Sequence, residues 1–178
     1  MREARQLDSI VFVPNWQQPL KADTPLANAA QRLAMVKLAI DDNAHFLVSD
    51  IELRQEAPAY TIDTLDALSR EHPQDQFQFI LGVDAANQLA LWREPARLLA
   101  DYQPIIMLRA GWRDPDWSAL TAIHPRAHRL ALVVEVPWLE IASQDLRARV
   151  RTGRSVRYLV PERVREFIEL HGLYRLDA

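Results

Sequence analysis

Five short, largely apolar runs constrain this chain more than anything else in it. They are Ser9-Ile10-Val11-Phe12-Val13, Phe46-Leu47-Val48, and residues 77–81, 104–108 and 130–136. Each is too short for a helix and is rich in β-branched, aromatic or leucine side chains. Most are apolar on both faces, as strands buried inside a parallel sheet are. Helical spacings fill the gaps between them. Ala29, Leu33, Val36 and Ile40 recur on one face, and Ile62, Leu65 and Leu68 follow Thr61. Pro95 is placed to start a helix carrying Leu98 and Leu99, and Ser143 precedes one carrying Leu146 and Val150. Pro161 is placed to open the last helix and Gly172 to close it. Strand–helix alternation predicts an α/β fold, with a mostly parallel sheet and helices on both faces. His124 and His128 are four apart, but Pro125 between them argues against a regular helix there. Asp114-Pro115-Asp116-Trp117 reads as the start of a polar connection, and the loop through Pro25 as long and exposed.

The 178 residues fit one domain with a full core. A net charge of −3 gives no basic field to recruit nucleic acid. Cysteine is absent, which excludes disulfides, thiolate metal sites and a cysteine nucleophile. No apolar run reaches the ~18 residues that span a bilayer, and the first residues lack a signal-peptide core. No membrane partner and a cytoplasmic location are therefore the expectation. His45, His72, His124, His128 and His171 show no metal-ligand spacing and read as structural or exposed. Asp41-Asp42 reads as a solvated pair, and no metal site is expected from the chain itself.

The third run leads into the most informative stretch. Ile80-Leu81-Gly82-Val83-Asp84 ends a strand, and Trp92 follows a helix-compatible segment. Ligands bind outside the carboxyl ends of parallel strands. Glycine there permits close backbone approach, aspartate can accept from ribose hydroxyls, and tryptophan offers a flat face. The same three residues also suit a tight turn, a helix cap and a core position. Ser143, with Arg147 one turn on, suits a phosphate at a helix N-terminus, or a plain cap with a solvated arginine. Asn15, Lys21 and Arg109 follow predicted strand ends, and Tyr60 and Thr61 could hydrogen-bond a ligand or, for Thr61, cap a helix.

Several motifs together resemble bacterial nicotinate-nucleotide adenylyltransferase over nearly the whole chain. Gln18-Pro19-Leu20-Lys21 stands where the family has Pro-Pro-His-Lys. Ala59-Tyr60-Thr61-Ile62-Asp63-Thr64-Leu65, the Gly82-Val83-Asp84 strand end with Trp92, and Arg109-Ala110-Gly111 all have family counterparts. Ile141 to Arg147 resembles Ile-Ser-Ser-Thr-x-Ile-Arg, with Ala142 and Gln144 as departures. The tail from Gly153-Arg154-Ser155 through Tyr158-Leu159-Val160-Pro161 to His171-Gly172-Leu173-Tyr174 is the most specific match.

The resemblance implies one nucleotidyltransferase-like domain over residues 1–178. Its fold would be a Rossmann-like three-layer α/β/α arrangement with a mostly parallel sheet, lacking the family's first strand. It implies adenylyl transfer from ATP to nicotinate mononucleotide in NAD biosynthesis, with Mg²⁺ accompanying ATP. Gly82 and Asp84 would line the adenosine ribose. Trp92 would lie by the pyridine ring, with Thr61 and Asn15 nearby. Lys21 and Arg109 would meet phosphates or the pyridine carboxylate, and Ser143 and Arg147 the ATP phosphates. The family's Gly-Gly-Thr-Phe-Asp-Pro loop and His-x-Gly-His helix start have no counterpart here. No catalytic histidine is assigned, and an in-frame upstream coding segment is expected to supply them. The alternatives are a nucleotide-binding module with impaired catalysis and a sister enzyme acting on phosphopantetheine. Homo-oligomerisation stays open.

Overall fold

A computed structural model describes residues 2–16, 27–55, 57–109, 114–137 and 139–175. In chain order the helices and strands are α1 (Arg2–Arg5), β1 (Ile10–Phe12), α2 (Ala29–Ile40), β2 (Phe46–Val48), α3 (Thr61–Glu71), β3 (Ile80–Gly82), α4 (Val83–Asn87), α5 (Pro95–Tyr102), β4 (Ile105–Arg109), α6 (Trp117–Ile123), α7 (Ala127–Leu130), β5 (Leu132–Val136), α8 (Ser143–Arg151) and α9 (Glu162–Leu170). All strand pairings are parallel. The chain groups into two compact units. One is built on residues 59–138, the other on residues 6–58 and 139–178.

The 59–138 unit carries a three-stranded sheet in the order β3-β4-β5. Ile80 pairs with Ile105, and Ile105 with Leu132. A parallel pair needs a long crossover. Here α4 and α5 connect β3 to β4, and α6 and α7 connect β4 to β5. Ile62, Leu65, Leu98, Leu99, Ile106 and Leu120 are buried in its core. The expected apolar face of α3 is thus the buried one, with Leu68 also inside.

Two sequence expectations in this unit need correction. The segment expected as a polar connection is capped into α6. The Asp116 carboxylate accepts from Ser118 N–H at 3.0 Å and Ala119 N–H at 3.1 Å. Leu130, expected to begin the fifth strand, is the last residue of α7, and the strand starts at Leu132. Leu130 packs against the core from that helix, so apolar character alone misplaced it. The break at Pro125 is real, with α6 ending at Ile123 and α7 starting at Ala127.

In the other unit β1 and β2 pair with Ile10 opposite Phe46 and Phe12 opposite Val48. Their crossover helix α2 starts with a reciprocal cap. Asn28 Oδ1 accepts from Gln31 N–H at 2.9 Å, and the Asn28 N–H donates back to Gln31 Oε1. Its far end is tied to α9 by an Arg163–Asp41 ion pair, so Asp41 is paired as well as exposed. Ala27, Val164, Ile168 and Leu173 form this unit's core, with Met35, Leu38 and Val150 against it. Both α8 and α9 end on glycines at positive φ, Gly153 at 70° and Gly172 at 60°. Leu173 N–H reaches Ile168 O and Arg154 N–H reaches Arg149 O, closing each helix in the way a left-handed glycine allows. The expected terminator role of Gly172 is met.

Candidate active site

In the 59–138 unit the carboxyl ends of β3 and β4 lie side by side. Gly82 pairs with Met107, and Arg109, exposed, ends β4 two residues on. Gly82 is the N-cap of α4, with φ −75° and no side-chain cap. A Cβ placed there would meet nothing within 4 Å. Asp84 lies in the first turn of α4 and is exposed. It does not cap that helix, so its carboxylate is open to solvent above the strand end. Trp92 is half-buried. Its ring lies tilted against Phe79, with centroids 6.3 Å apart. It follows a short 3-10 turn, Leu89–Leu91, not a continuous helix.

Arg93 carries Trp92 towards the start of α3. Its guanidinium donates to Asp63 Oδ2 at 2.9 Å and stands 5.0 Å over the Tyr60 ring. Thr61 is the first helical residue of α3, after an N-cap, Tyr60, that makes no side-chain cap. Thr61 is therefore not the cap, and the opening turn of α3 keeps its amide donors unclaimed by a capping side chain. The segments holding Thr61 and Trp92, expected to share a ligand, are fastened together by Arg93. Neither Arg93 nor Asp63 was singled out from sequence. Arginine after tryptophan has no signature of its own.

In the other unit Ser143 is the first residue of α8. Ala142, the N-cap, has no capping side chain. Ser143 is therefore not an ordinary cap, and its hydroxyl stands beside uncapped amides, with Arg147 one turn on. Helix N-termini of this kind favour anions. Below them lies a mainly apolar cavity of about 160 Å³, lined by Ser143, Leu146, Arg147, Met35, Val164 and Tyr174 among others. Burial pushes the Tyr174 phenol up from its ordinary value, and the positive charges of Arg147 and Arg32 oppose that rise. Arg32, on α2, holds Asn15: its Nη1 donates to Asn15 Oδ1 at 3.0 Å. Asn15, expected on sequence grounds, is thus held by Arg32, which was not. Lys21 lies outside the described residues, as does the loop expected to be exposed.

His45, His72, His128 and His171 are exposed, and His124 is half-buried with Nδ1 accepting from Arg126 N–H at 3.2 Å. Among the described residues no group of three His, Cys, Asp or Glu side chains could hold a metal ion. Among the described residues no helix is long and apolar enough to cross a membrane.

Residues 1–160 match the family model of cytidylyltransferase-like proteins. Fold and sequence together define a nucleotidyltransferase. A Thermomicrobium roseum protein named "probable nicotinate-nucleotide adenylyltransferase" is 38% identical over 175 residues, covering 98% of this chain and 81% of the relative. One of the same name from Roseiflexus is 39% identical, covering 98% and 87%. The chain belongs to the nicotinate-nucleotide adenylyltransferase family. The solved structure of Plasmodium falciparum nicotinic acid mononucleotide adenylyltransferase complexed with NaAD aligns at a TM-score of 0.70 and 20% identity. It covers 94% of this chain and 82% of that one, a likeness of fold.

Proposed function

We propose that this chain transfers the adenylyl group of ATP to nicotinate mononucleotide, giving nicotinate adenine dinucleotide and pyrophosphate in the cytoplasm. Residues 1–178 act as a single nucleotidyltransferase domain in this reading. The observation that carries it is the family membership over 98% of the chain, joined to candidate residues at strand ends and uncapped helix starts. A phosphate oxygen of the mononucleotide attacks the α-phosphorus of ATP in line. The new P–O bond forms as the bond to the β-phosphate oxygen breaks, and pyrophosphate leaves. Little covalent chemistry falls to the protein, so positioning and charge neutralisation dominate.

Asp84, beside Gly82, accepts from the adenosine ribose hydroxyls, and the absent Cβ leaves room for the sugar. Trp92 presents its face to the pyridine ring near the open amides of α3 and Thr61. Ser143, the α8 amides and Arg147 meet the triphosphate. Arg109 and Lys21 neutralise phosphate or pyridine carboxylate. Mg²⁺ would supply further charge neutralisation on the triphosphate. Magnesium binds through few protein carboxylates and many phosphate oxygens.

The test is pyrophosphate release from the purified chain with ATP and each of nicotinate mononucleotide, nicotinamide mononucleotide and phosphopantetheine. The expected result is turnover with the nicotinate substrate. Consumption of phosphopantetheine alone overturns the reading. Nucleotide binding by calorimetry with no pyrophosphate at high enzyme concentration would instead identify a binding module.

A further inference from the structure

Arg32 stands where a cation is disfavoured. It lies in the first turn of α2, at the positive end of the helix dipole. The cap of that helix is already complete without it, through Asn28 and Gln31. Its guanidinium faces none of the usual partners. Among the described residues it forms no ion pair, and its buried Nε has no hydrogen-bond partner. Instead Nη1 donates to both Asn15 O and Asn15 Oδ1, and Nη2 donates to Trp16 O at 2.9 Å. Three acceptors from two successive residues are held by one planar fork, a geometry lysine cannot reproduce.

The chemistry of that fork fixes the polarity of Asn15. Arginine has donors only, so the asparagine must turn its oxygen to it. Its NH₂ is then left pointing away from Arg32 as a donor. We propose that Arg32 is a positioning residue that makes Asn15 an obligate hydrogen-bond donor to an anionic oxygen of the mononucleotide substrate. The inference rests on the adenylyl-transfer reading and deepens it. The positive guanidinium of Arg32, which forms no ion pair among the described residues, lies against Asn15 and favours an anion there. The oxygen belongs to the phosphate or to the pyridine carboxylate, two sources with one chemistry.

The test compares Arg32→Ala, Arg32→Lys, Asn15→Ala, Asn15→Asp and the double variant Arg32→Ala/Asn15→Ala in the full chain. Calorimetry gives the Kd for nicotinate mononucleotide, and steady-state assays give both KM values and kcat. Arg32→Ala is expected to raise the Kd and KM for the mononucleotide about tenfold, with kcat falling less than about threefold and the KM for ATP unmoved. The double variant is expected to bind no worse than Asn15→Ala alone, because Arg32 acts through Asn15. Arg32→Lys recovers only part of the loss. Asn15→Asp can pair with Arg32, so it keeps or raises the melting temperature, yet it loses the donor and weakens binding further.

Losses that multiply in the double variant overturn the proposal. So does an equal rise in the KM for ATP, or unchanged binding by Asn15→Asp. Should Arg32→Ala fail to fold, Arg32→Lys replaces it, alone and combined with Asn15→Ala, with the same outcomes expected and excluded at smaller amplitude. Nicotinamide mononucleotide and nicotinate riboside separate the two oxygens, since the ligand indifferent to Asn15→Asp lacks the oxygen concerned. Failure of the unaltered chain to bind nicotinate mononucleotide would overturn the parent reading, and this proposal with it.

Discussion

Gly82 has a negative φ and open space where a Cβ would stand, so neither backbone strain nor packing requires glycine there. In the proposed reading the adenosine ribose passes close to the strand end and uses that space. Gly82→Ala is expected to lower stability by less than about 1 kcal/mol, the cost of a poorer N-cap. Its main effect should be a KM raised for ATP, read by steady-state kinetics alongside thermal melting. Equal KM values with lowered stability would return Gly82 to a purely structural role. At the start of α8 the reverse split applies. In the proposed reading Ser143 donates to charge that develops during transfer, so Ser143→Ala should lower kcat by about a hundredfold with little change in melting temperature.

At the scale of elements, α3 and α5 are clamped by a polar network at the edge of the core. Tyr102 O–H donates to Asp66 Oδ1 at 2.6 Å, and Arg97 Nη2 donates to both carboxylate oxygens of Asp66. The Tyr102 bond, followed by the Arg97 contacts, holds the Asp66 carboxyl below its ordinary value of 3.8, against the opposing effect of burial. A pKa lowered on folding stabilises the fold above the unfolded value. That contribution is lost as pH falls through the folded value. The clamp is therefore intact at neutral pH and weakens below about pH 3.8. Tyr102 works in the other window. Burial first, and Asp66 second, raise its pKa above 10.0, so its contribution is lost only in strong alkali. Asp66→Ala leaves the buried Tyr102 hydroxyl, among the described residues, with only a long contact to Ser69, 3.5 Å, and should cost about 1–2 kcal/mol at pH 7 in urea melts. The deficit should shrink as pH drops below 3.8, because the native carboxyl then protonates too.

None of that clamp was legible in sequence, because Asp66 and Tyr102 are 36 residues apart. The strands were legible because each is a short apolar run, although β1, β2 and β5 are not buried on both faces and leave Phe12, Leu47 and Val133 exposed. β2 was placed at its observed bounds, Phe46–Val48. α2, α3, α5 and α9 were legible through helical spacing with proline, threonine and glycine at their ends. α6 was not, because its cap lies in a segment rich in turn residues, and Asp116-Trp117 reads equally as loop. The positions of Gly82 and Arg109 at strand ends were legible for the same reason as the strands. Arg32 was not, because its partners are largely backbone carbonyls, which leave no mark on residue type.

At the scale of the whole molecule, a ligand that binds only the folded chain raises its melting temperature in proportion to the logarithm of its concentration. At a hundredfold excess over Kd the gain is about 2.7 kcal/mol, or roughly 5–10 °C for a chain of this size. The assignments then separate by ligand. Trp92→Ala should abolish the shift given by nicotinate mononucleotide and preserve that given by ATP with Mg²⁺. Arg147→Ala should do the opposite. Trp92 also packs on Phe79, so its truncation lowers the melting temperature of the free protein by leaving a cavity. The increment caused by ligand, not the absolute melting point, is therefore the quantity to compare. Trp92→Phe keeps a flat ring with less volume lost, and should retain most of the mononucleotide shift. Both ligands losing their shifts together in Trp92→Phe would mean the tryptophan holds the fold and reads no substrate. A selective loss would tie the ring to the pyridine nucleotide, since a general loosening of the core has no means of telling ATP from nicotinate mononucleotide.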